Sequence, residues 1–368
     1  DKEVHHNHKM LQVSIFLCCL FSKLSVVNSL VLVSPLRHQL SNVRLSRVQN
    51  FAMKPVLTEL VEATPVDTSF EDAGYFALSE QSLKSWLQFG GAVSIVLMAL
   101  YVLWIRGDTG YCDDFLAGAM SLGNGDPHLA TLFLGSTFAI VHSGLAALRP
   151  KAEEIIGARA WRVIFACASL PLAYAWILFW LVHRYDGQIL WHFPQSNTSI
   201  TLLAFINFIS FLFLYPSTFN LKEVAAVDKP QLHLWGTGVA RITRHPQAFG
   251  QTLWSLAHGA YIGTSVTALT MLLLILHHAF STWHGDQRLA AKYPDKFPKL
   301  KASTSVIPFA AILDGRQQLP SQYWREWLRG PYLVILLATS ATYFAHPQIQ
   351  AFAAIATNTP LQSGGLLG

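Results

Sequence analysis

Charged side chains are scarce in this sequence. Of its 368 residues only 13% are Asp, Glu, Lys or Arg, whereas 52% are hydrophobic, and a soluble domain carries roughly 25% charged residues. The scarcity argues against a soluble globular enzyme. It also excludes a disordered chain, which needs charge to stay solvated, and a chain with nucleic acid as its partner, which needs many cations to meet phosphates. We therefore expect a membrane protein.

Cysteine is equally rare, and its spacing excludes several classes of protein. The four cysteines are Cys18, Cys19, Cys112 and Cys167. No pair has the C-x-x-C spacing of a zinc ribbon, and the chain has no C-x-x-C-H site for covalent haem. A disulfide scaffold is not expected either.

Acidic residues are absent from residues 11–58. The first nine residues precede Met10 and resemble a leader, and residues 11–20 form an apolar run as long as a signal-peptide core. From there to Thr58 no Asp or Glu occurs, whereas five Lys and Arg do. Basic, acid-free composition is typical of organelle transit peptides. We predict that residues 1–54 are a leader and a bipartite plastid-targeting segment, with a membrane anchor and basic flank as the alternative.

Long apolar runs fill most of the remaining chain. Residues 55–85 turn acidic and predict a polar linker, residues 86–352 a transmembrane domain, and residues 353–368 a C-terminal tail. About 20 apolar residues cross a bilayer. The candidate runs are 86–105, 128–148, 160–182, 199–219, 247–280 and 331–352. The run 247–280 is long and contains Gly and Ser near its middle, so we divide it into two helices at 262–265.

The charges of the loops support that division. Lys and Arg number one, three, one, four, none and eight in successive loops. Loops with few and loops with many Lys and Arg alternate, as the positive-inside rule requires, only if residues 247–280 cross the membrane twice. The predicted fold is an all-α polytopic bundle of about seven transmembrane spans, with the rich loops on the stromal or cytoplasmic face.

Histidine is the ionisable residue that recurs in the apolar runs. His142, His258, His277, His278 and His346 all lie within or at the end of a run. Neutral imidazole can sit in an apolar interior and still donate a lone pair to iron. Several histidines without intramembrane carboxylates favour a metalloporphyrin over a proton relay. In the RITRHPQ segment, Arg241 and Arg244 precede the helix that Pro246 would begin, where they could bind propionates, phosphates or a carboxylate. The alternative is that they are ordinary basic residues at the positive membrane face.

Several sequence blocks, in order, resemble one known family. They are VHSGLAALRP, GARAWRVIFACASLPLA, HRYDG, FLYPSTFNLKEVAAVDKPQLHLW, RITRHPQ, GDQRLAAKY, TSVIPFAAILDGRQQLP and YFAHP. The chain is similar to the plastid members of the NnrU-like membrane family over roughly residues 80–350. That resemblance implies a multi-pass plastid membrane protein with non-covalent haem b. It also implies isomerisation of the central 15-cis double bond of 9,15,9′-tri-cis-ζ-carotene to give the 9,9′-di-cis product.

The resemblance also implies site residues. The haem and iron ligands of the family fall on His142 and His258, and His183 and His277 match further family histidines. His142, His258 and His277 are therefore the candidate catalytic residues. At 1.5 Å per residue, His142 and His258 would differ in depth by about 9 Å, whereas His277 or His278 would be level with His142. Ser255 stands where plant members carry Cys, and a hydroxyl is a poor iron ligand compared with a thiolate.

The implied partners follow from the reaction. They are a carotenoid substrate within the membrane, membrane lipid, an electron donor and neighbouring carotenoid desaturases. Aromatic side chains are expected to orient the polyene, namely Trp254, Phe208, Phe211 and Tyr261.

Two other functions fit parts of the sequence. The RHP motif, with the charged stretch after the next span, also resembles membrane methyltransferases of the isoprenylcysteine type, which bind S-adenosylmethionine. That group usually has two acidic residues where this chain has Gly285 and Asp286. The other alternative is a haem protein that senses or transfers electrons without changing a carbon skeleton.

Overall fold

The computed structural model of the chain describes residues 82–106, 109–214, 238–328, 330–349 and 351. The predicted targeting segment, nearly all of the predicted linker and the predicted tail lie outside these residues. Apart from 82–85, the described residues all belong to the predicted transmembrane domain.

The described residues form helices, which confirms the predicted all-α fold. The β pairing among the described residues consists of one isolated antiparallel bridge between Ile189 and Thr264. Five long helices carry most of the structure, and shorter ones connect them. In chain order the helices are α1 (Leu83–Leu100), continued by a π-helical turn (Tyr101–Ile105), α2 (Tyr111–Leu122), α3 (Pro127–Ile156), α4 (Ala158–His183), α5 (Asn197–Leu214), α6 (Val239–Ile242), α7 (Pro246–Ile262), α8 (Ser265–Lys292), α9 (Phe297–Ser303), α10 (Ala310–Leu313), α11 (Tyr323–Trp327) and α12 (Gly330–Phe344).

Helix α8 joins two groups of helices. It packs against α3 and α4 on one side and against α7 on the other, while α7 packs on α5 and α5 on α12. The core between α2, α3 and α4 contains Ala130, Leu134, Trp176 and Phe179, all nearly inaccessible. Gly135 lets α3 approach this core, because a Cβ there would lie 2.8 Å from the Trp176 ring. Small residues at such crossings are the usual means of close helix packing in membranes.

Among the described residues, four helices are long and apolar enough to cross a membrane: Pro127–Gly157, Ala160–His183, Asn197–Leu214 and Ser265–Lys292. A shorter apolar helix covers Gly90–Ile105. Helices α7 and α12 have 17 and 15 residues, about 26 and 22 Å at 1.5 Å per residue, so each is short for a bilayer core of about 30 Å. Seven crossings therefore stay a prediction.

The predicted division of 247–280 is confirmed, because α7 ends at Ile262 and α8 begins at Ser265. Gly263 terminates α7 in the left-handed region, with φ of +72°, a conformation that glycine adopts without steric cost. Thr264 then caps α8 by accepting a hydrogen bond from the Thr267 N–H. The two helices form a hairpin, as the loop charges require.

A hydrogen-bonded cluster, here called the clasp, fastens this hairpin to two other helix ends. It consists of Asp126, His128, Gln188 and Ser265. The Asp126 carboxylate lies 2.8 Å from His128 Nδ1, and His128 Nε2 lies 2.7 Å from the Ser265 hydroxyl. That hydroxyl also accepts the Gln188 N–H at 2.8 Å. The start of α3, the end of α4 and the α7–α8 turn thus lie at one face, where the predicted charge-poor loops are expected to meet.

Candidate functional site

An apolar cavity of about 50 Å³ lies between α5, α7 and α12. Its lining is mostly aromatic or aliphatic, with a few polar groups directed inward. The lining residues are Ala204, Asn207, Phe208, Phe211, Trp254, His258, Thr339, Thr342, Tyr343 and His346. Three of the four aromatics predicted to orient a polyene, Trp254, Phe208 and Phe211, are in this set. The fourth, Tyr261, instead packs on Phe193 near the end of α7.

His258 is held in one orientation by the turn of α7 that precedes it. Its Nδ1 lies 3.0 Å from the Trp254 carbonyl oxygen, so the ring proton belongs on Nδ1, where it can be donated. The Trp254 indole stacks on the imidazole, with ring centres 4.0 Å apart. The Nε2 lone pair is therefore left for another partner, which is the arrangement of metal-binding histidines whose other nitrogen is held by a carbonyl.

His346, just beyond α12, faces His258 across the cavity. The two ring centres are 6.5 Å apart and the rings are inclined by 64°. The His346 Nδ1 is buried and has no hydrogen-bond partner within the described part of the chain. The same holds for the Asn207 side-chain oxygen and the Thr339 hydroxyl. Buried polar atoms usually have partners, so three atoms without one among the described residues make this cavity a candidate site.

A second histidine cluster lies on the other side of α8, between α3, α4 and α8. Its centre is His142, whose ring lies 5.4 Å from His277 and 4.8 Å from Phe165. The Nδ1 atoms of His142 and His277 are likewise buried without a partner among the described residues. Phe138 closes the cluster by contacting both imidazoles at 5.2 Å. The expectation that His277 lies level with His142 is confirmed.

The two histidines implied as joint iron ligands belong to different clusters. His142 contacts His277, whereas His258 contacts Trp254, Trp180 and His346. Within the described ranges no ring contact joins His142 to His258, and no group of three or more His, Cys, Asp or Glu is placed to hold a metal ion. The pairing of His258 with His346 was missed by sequence reasoning, although His346 is recognisable as an intramembrane histidine.

The RHP segment lines a separate cavity of about 260 Å³ at the start of α7. The Arg244 guanidinium lies 2.7 Å from Asp286 of α8, and His245 Nε2 lies 2.7 Å from the other oxygen of the same carboxylate. Arg244 also donates to the Thr304 carbonyl oxygen. His278 lines this cavity. Arg244 therefore already has a carboxylate partner, and its predicted role in cofactor binding stays a prediction.

Arg241 is also paired. Its guanidinium lies 2.9 Å from Glu326 of α11, and that carboxylate accepts the Gly238 N–H as well. The Tyr323 hydroxyl donates to the Gly238 carbonyl oxygen at 2.8 Å. Burial raises the pKa of Tyr323 to about 12, so the hydroxyl remains a donor at neutral pH. These bonds attach α6 to α11, and a role of Arg241 toward a cofactor likewise stays a prediction.

His183 and Ser255 lie away from the cavity lining. His183 Nδ1 is 2.6 Å from Asp186 at the end of α4. Ser255 is fully buried one turn before His258, and its hydroxyl accepts a hydrogen bond from Gln251 at 3.3 Å. Both side chains thus have polar partners of their own.

Comparison with known proteins places these helices in a family. Residues 130–354, which include both histidine clusters and the RHP segment, match the family model described as NnrU protein. The chain belongs to the NnrU family, among its 15-cis-zeta-carotene isomerases. It is 51% identical over 289 residues to the chloroplastic 15-cis-zeta-carotene isomerase of Arabidopsis thaliana, covering 78% of each chain. It is 49% identical over 323 residues to that of Zea mays, covering 86% of this chain and 87% of the relative.

No solved structure matches this NnrU family chain.

Proposed function

We propose that this chain isomerises the central 15-cis double bond of 9,15,9′-tri-cis-ζ-carotene, giving the 9,9′-di-cis product, within a plastid membrane. The observation that carries the proposal is identity of 51% and 49% to two chloroplastic 15-cis-zeta-carotene isomerases over most of the chain. The all-α architecture with apolar helices of membrane-spanning length supports it.

The residues that line the cavity between α5, α7 and α12 are proposed to contact the polyene; the cavity of about 50 Å³ is far smaller than a carotenoid, most of which would lie along the lipid-facing surface of these helices. A carotenoid is an apolar polyene dissolved in the bilayer, so it needs an apolar site that opens toward lipid. Phe208, Phe211 and Trp254 supply aromatic walls. On the same helices Leu202, Phe205 and Leu256 are more than half exposed, which suits helices that face lipid and a substrate that enters from the side.

Haem b is the proposed cofactor, and His258 is a residue that would hold its iron. Among the described residues, the His258 Nε2 lone pair and the buried Nδ1 of His346 have no hydrogen-bond partner, which supports this choice. When bound, ferrous haem would supply the electron or the open coordination position that lowers the order of the central double bond. The protein residues orient the reactants: the Trp254 carbonyl oxygen fixes the imidazole of His258, and the aromatic walls exclude water.

The proposal includes partners. An electron donor must keep the iron reduced, and carotenoid desaturases in the same membrane would produce the substrate and consume the product. The two alternatives, an S-adenosylmethionine-dependent methyltransferase and a haem protein without catalytic activity, are not favoured by the names of the relatives.

The test is expression of the chain in bacteria that accumulate 9,15,9′-tri-cis-ζ-carotene, grown in the dark to exclude photoisomerisation. We expect chromatography of the pigments to show conversion to the 9,9′-di-cis isomer. His258→Ala should abolish conversion, whereas His192→Ala, at an exposed histidine between α4 and α5, should not. Persistence of the tri-cis isomer with wild-type protein present in the membrane would refute the proposal.

A further inference from the structure

We propose that the loop of residues 304–313, here called the apolar loop, inserts its side chains into the membrane surface, and that the lysines before it bind the headgroups of anionic lipids. The inference goes beyond the isomerase reaction, because it concerns how one end of the helix bundle contacts the bilayer. It rests on exposed apolar side chains, a firmly held backbone, the depth of the loop and its charge.

The exposed side chains of the apolar loop are the first observation. Ile307 and Leu313 are 71% and 85% exposed, and Val306 and Phe309 are exposed as well. Large apolar side chains that cluster at a surface mark a contact with a membrane or with another protein. The loop is therefore a candidate contact surface.

Hydrogen bonds to the segment before α7 hold the backbone of the apolar loop in place. The buried Thr243 hydroxyl donates to the Val306 carbonyl oxygen at 2.7 Å. The Phe309 N–H donates to the Ile242 carbonyl oxygen at 2.9 Å. The apolar side chains are thus directed outward by an ordered backbone.

Ser305 fixes the turn of the loop from inside. Its buried hydroxyl donates to the Ile307 carbonyl oxygen at 2.7 Å and accepts the Ala311 N–H at 3.0 Å. Phe309 begins α10 with φ of +65°, a conformation that is unfavourable for a bulky side chain and persists only where its surroundings impose it. The loop therefore presents Phe309 at the surface at a conformational cost.

The depth of the apolar loop favours lipid as the occupant of this surface. The loop is bonded to residues directly before Pro246, where α7 begins. Helix α7 has 17 residues, about 26 Å at 1.5 Å per residue, against a hydrocarbon thickness of about 30 Å. With the α7–α8 turn at the opposite face, as the loop charges predict, the start of α7 and the apolar loop lie at the membrane boundary.

The charge next to the loop complements an anionic membrane surface. Residues 292–301 contain one acidic residue, Asp295, and four exposed lysines, namely Lys292, Lys296, Lys299 and Lys301. Phe297 and Leu300 of α9 are buried, so α9 is packed through its apolar side chains while its lysines stay in solvent. Basic residues beside inserted apolar ones are typical of elements that lie on a membrane, where anionic headgroups attract them.

The experiment uses the full chain, with its native cysteines replaced by Ser, reconstituted into lipid vesicles. A nitroxide spin label is attached to Ile307→Cys, Leu313→Cys or Gln318→Cys. Power saturation then compares collisions of the label with oxygen, which concentrates in lipid, and with a water-soluble nickel chelate. Gln318 is the matched control, because it is an exposed polar residue shortly after the loop. We expect the ratio of oxygen to nickel collisions to be at least several-fold higher at positions 307 and 313 than at 318.

A second comparison tests the lysines. The same labels are measured in vesicles of phosphatidylcholine alone and of phosphatidylcholine with phosphatidylglycerol. We expect phosphatidylglycerol to move the labels at 307 and 313 deeper, and high salt to reverse this, because salt screens the attraction. The combined changes Lys296→Gln, Lys299→Gln and Lys301→Gln should remove the effect. Lys151→Gln, at an exposed lysine of α3, should preserve it.

Three results would overturn the inference. Nickel collisions as frequent at 307 and 313 as at 318 would place the loop in water. Exclusion of both reagents from 307 and 313 would show that protein covers the loop, either a second copy of this chain or another part of it. Equal depth of the labels in the two kinds of vesicle would overturn the binding of anionic headgroups.

Discussion

His128 and Ser265 form a 2.7 Å hydrogen bond although 137 residues separate them in the sequence. Asp126, His128 and Ser265 have the connectivity of a hydrolase triad, but the Ser265 hydroxyl accepts the Gln188 N–H, and a Cβ at Gly187 would overlap it. A hydroxyl already bonded to His128 and to the Gln188 N–H suits a structural role. The clasp joins the start of α3, the loop after α4 and the start of α8 at one face.

The first prediction concerns the clasp. Gly187→Ala should destabilise the protein by more than about 1 kcal/mol, because Gly187 has φ of +84° and an added Cβ would overlap Ser265. Ser265→Ala should cost about 1 kcal/mol for the lost hydrogen bonds. The measurement is thermal unfolding in detergent. Gly144→Ala is the control, since its Cβ would meet nothing within 4 Å in the middle of α3. Equal stability of Gly187→Ala and Gly144→Ala would contradict this account.

The second prediction concerns the buried ion pair between Arg244 and Asp286, whose side chains are only 9% and 11% exposed. Removal of one charge leaves the other buried without compensation, so Asp286→Asn should cost about 3–5 kcal/mol. The double variant Arg244→Met, Asp286→Leu should lose less unfolding free energy than either single variant. Denaturant titration in detergent measures these losses.

An exposed ion pair provides the control for that experiment. Arg316 and Asp314 lie 2.6 Å apart at the surface, and hydrogen bonds from Arg316 lower the pKa of Asp314. Solvent screens exposed pairs, so Asp314→Asn should leave the denaturation midpoint nearly unchanged. Similar losses of unfolding free energy in Asp314→Asn and Asp286→Asn would show that burial does not cause the destabilisation.

The third prediction concerns the crossing of α5 and α7, which forms one wall of the cavity that is proposed to contact the polyene. A Cβ on Gly250 would lie 2.6 Å from the Ser210 carbonyl oxygen, so Gly250→Ala should cost about 1–3 kcal/mol by overpacking and lower the yield of the 9,9′-di-cis isomer. Gly259→Ala, on the same helix, would meet Met271 at an ordinary 3.5 Å and should be tolerated. Comparable isomerisation by both variants would argue against a role of this crossing.

Sequence reasoning found the features that depend on neighbours along the chain. The break at 262–265 was predictable because Gly263, Thr264 and Ser265 terminate one helix and cap the next. The short helix α2 was missed, since its apolar residues, such as Phe115 and Leu116, pack on the core without forming a run long enough to span. The contact between the rings of His258 and His346 was also missed. Contacts between α7 and the end of α12 depend on how distant helices pack, and no local pattern encodes that.

The fourth prediction is the topology. If α8 crosses the membrane, the loop before α5 and the segment after α10 lie on opposite sides. We expect Gln318→Cys, in a chain lacking other cysteines, to react with an impermeant maleimide from the stromal side, and Gln195→Cys to react from the other side. Both positions are exposed. Labelling of both from one side of sealed vesicles would refute the predicted alternation of loops.

The fifth prediction concerns redox control, and it depends on Ser255. The side chain is fully buried, bonded to Gln251 and absent from the described lining of the His258 cavity. A neutral hydroxyl also competes poorly with imidazole for iron. With haem as the proposed cofactor, we expect imidazole-type ferric spectra from wild type and from Ser255→Cys alike. Isomerisation should occur only below the midpoint potential of the proposed haem iron in both proteins, because the requirement for an electron belongs to the cofactor. Redox titration of the spectrum and of isomer production measures both properties. A thiolate spectrum in Ser255→Cys would show that position 255 reaches the iron, and equal activity of ferric and ferrous wild type would reject the redox mechanism.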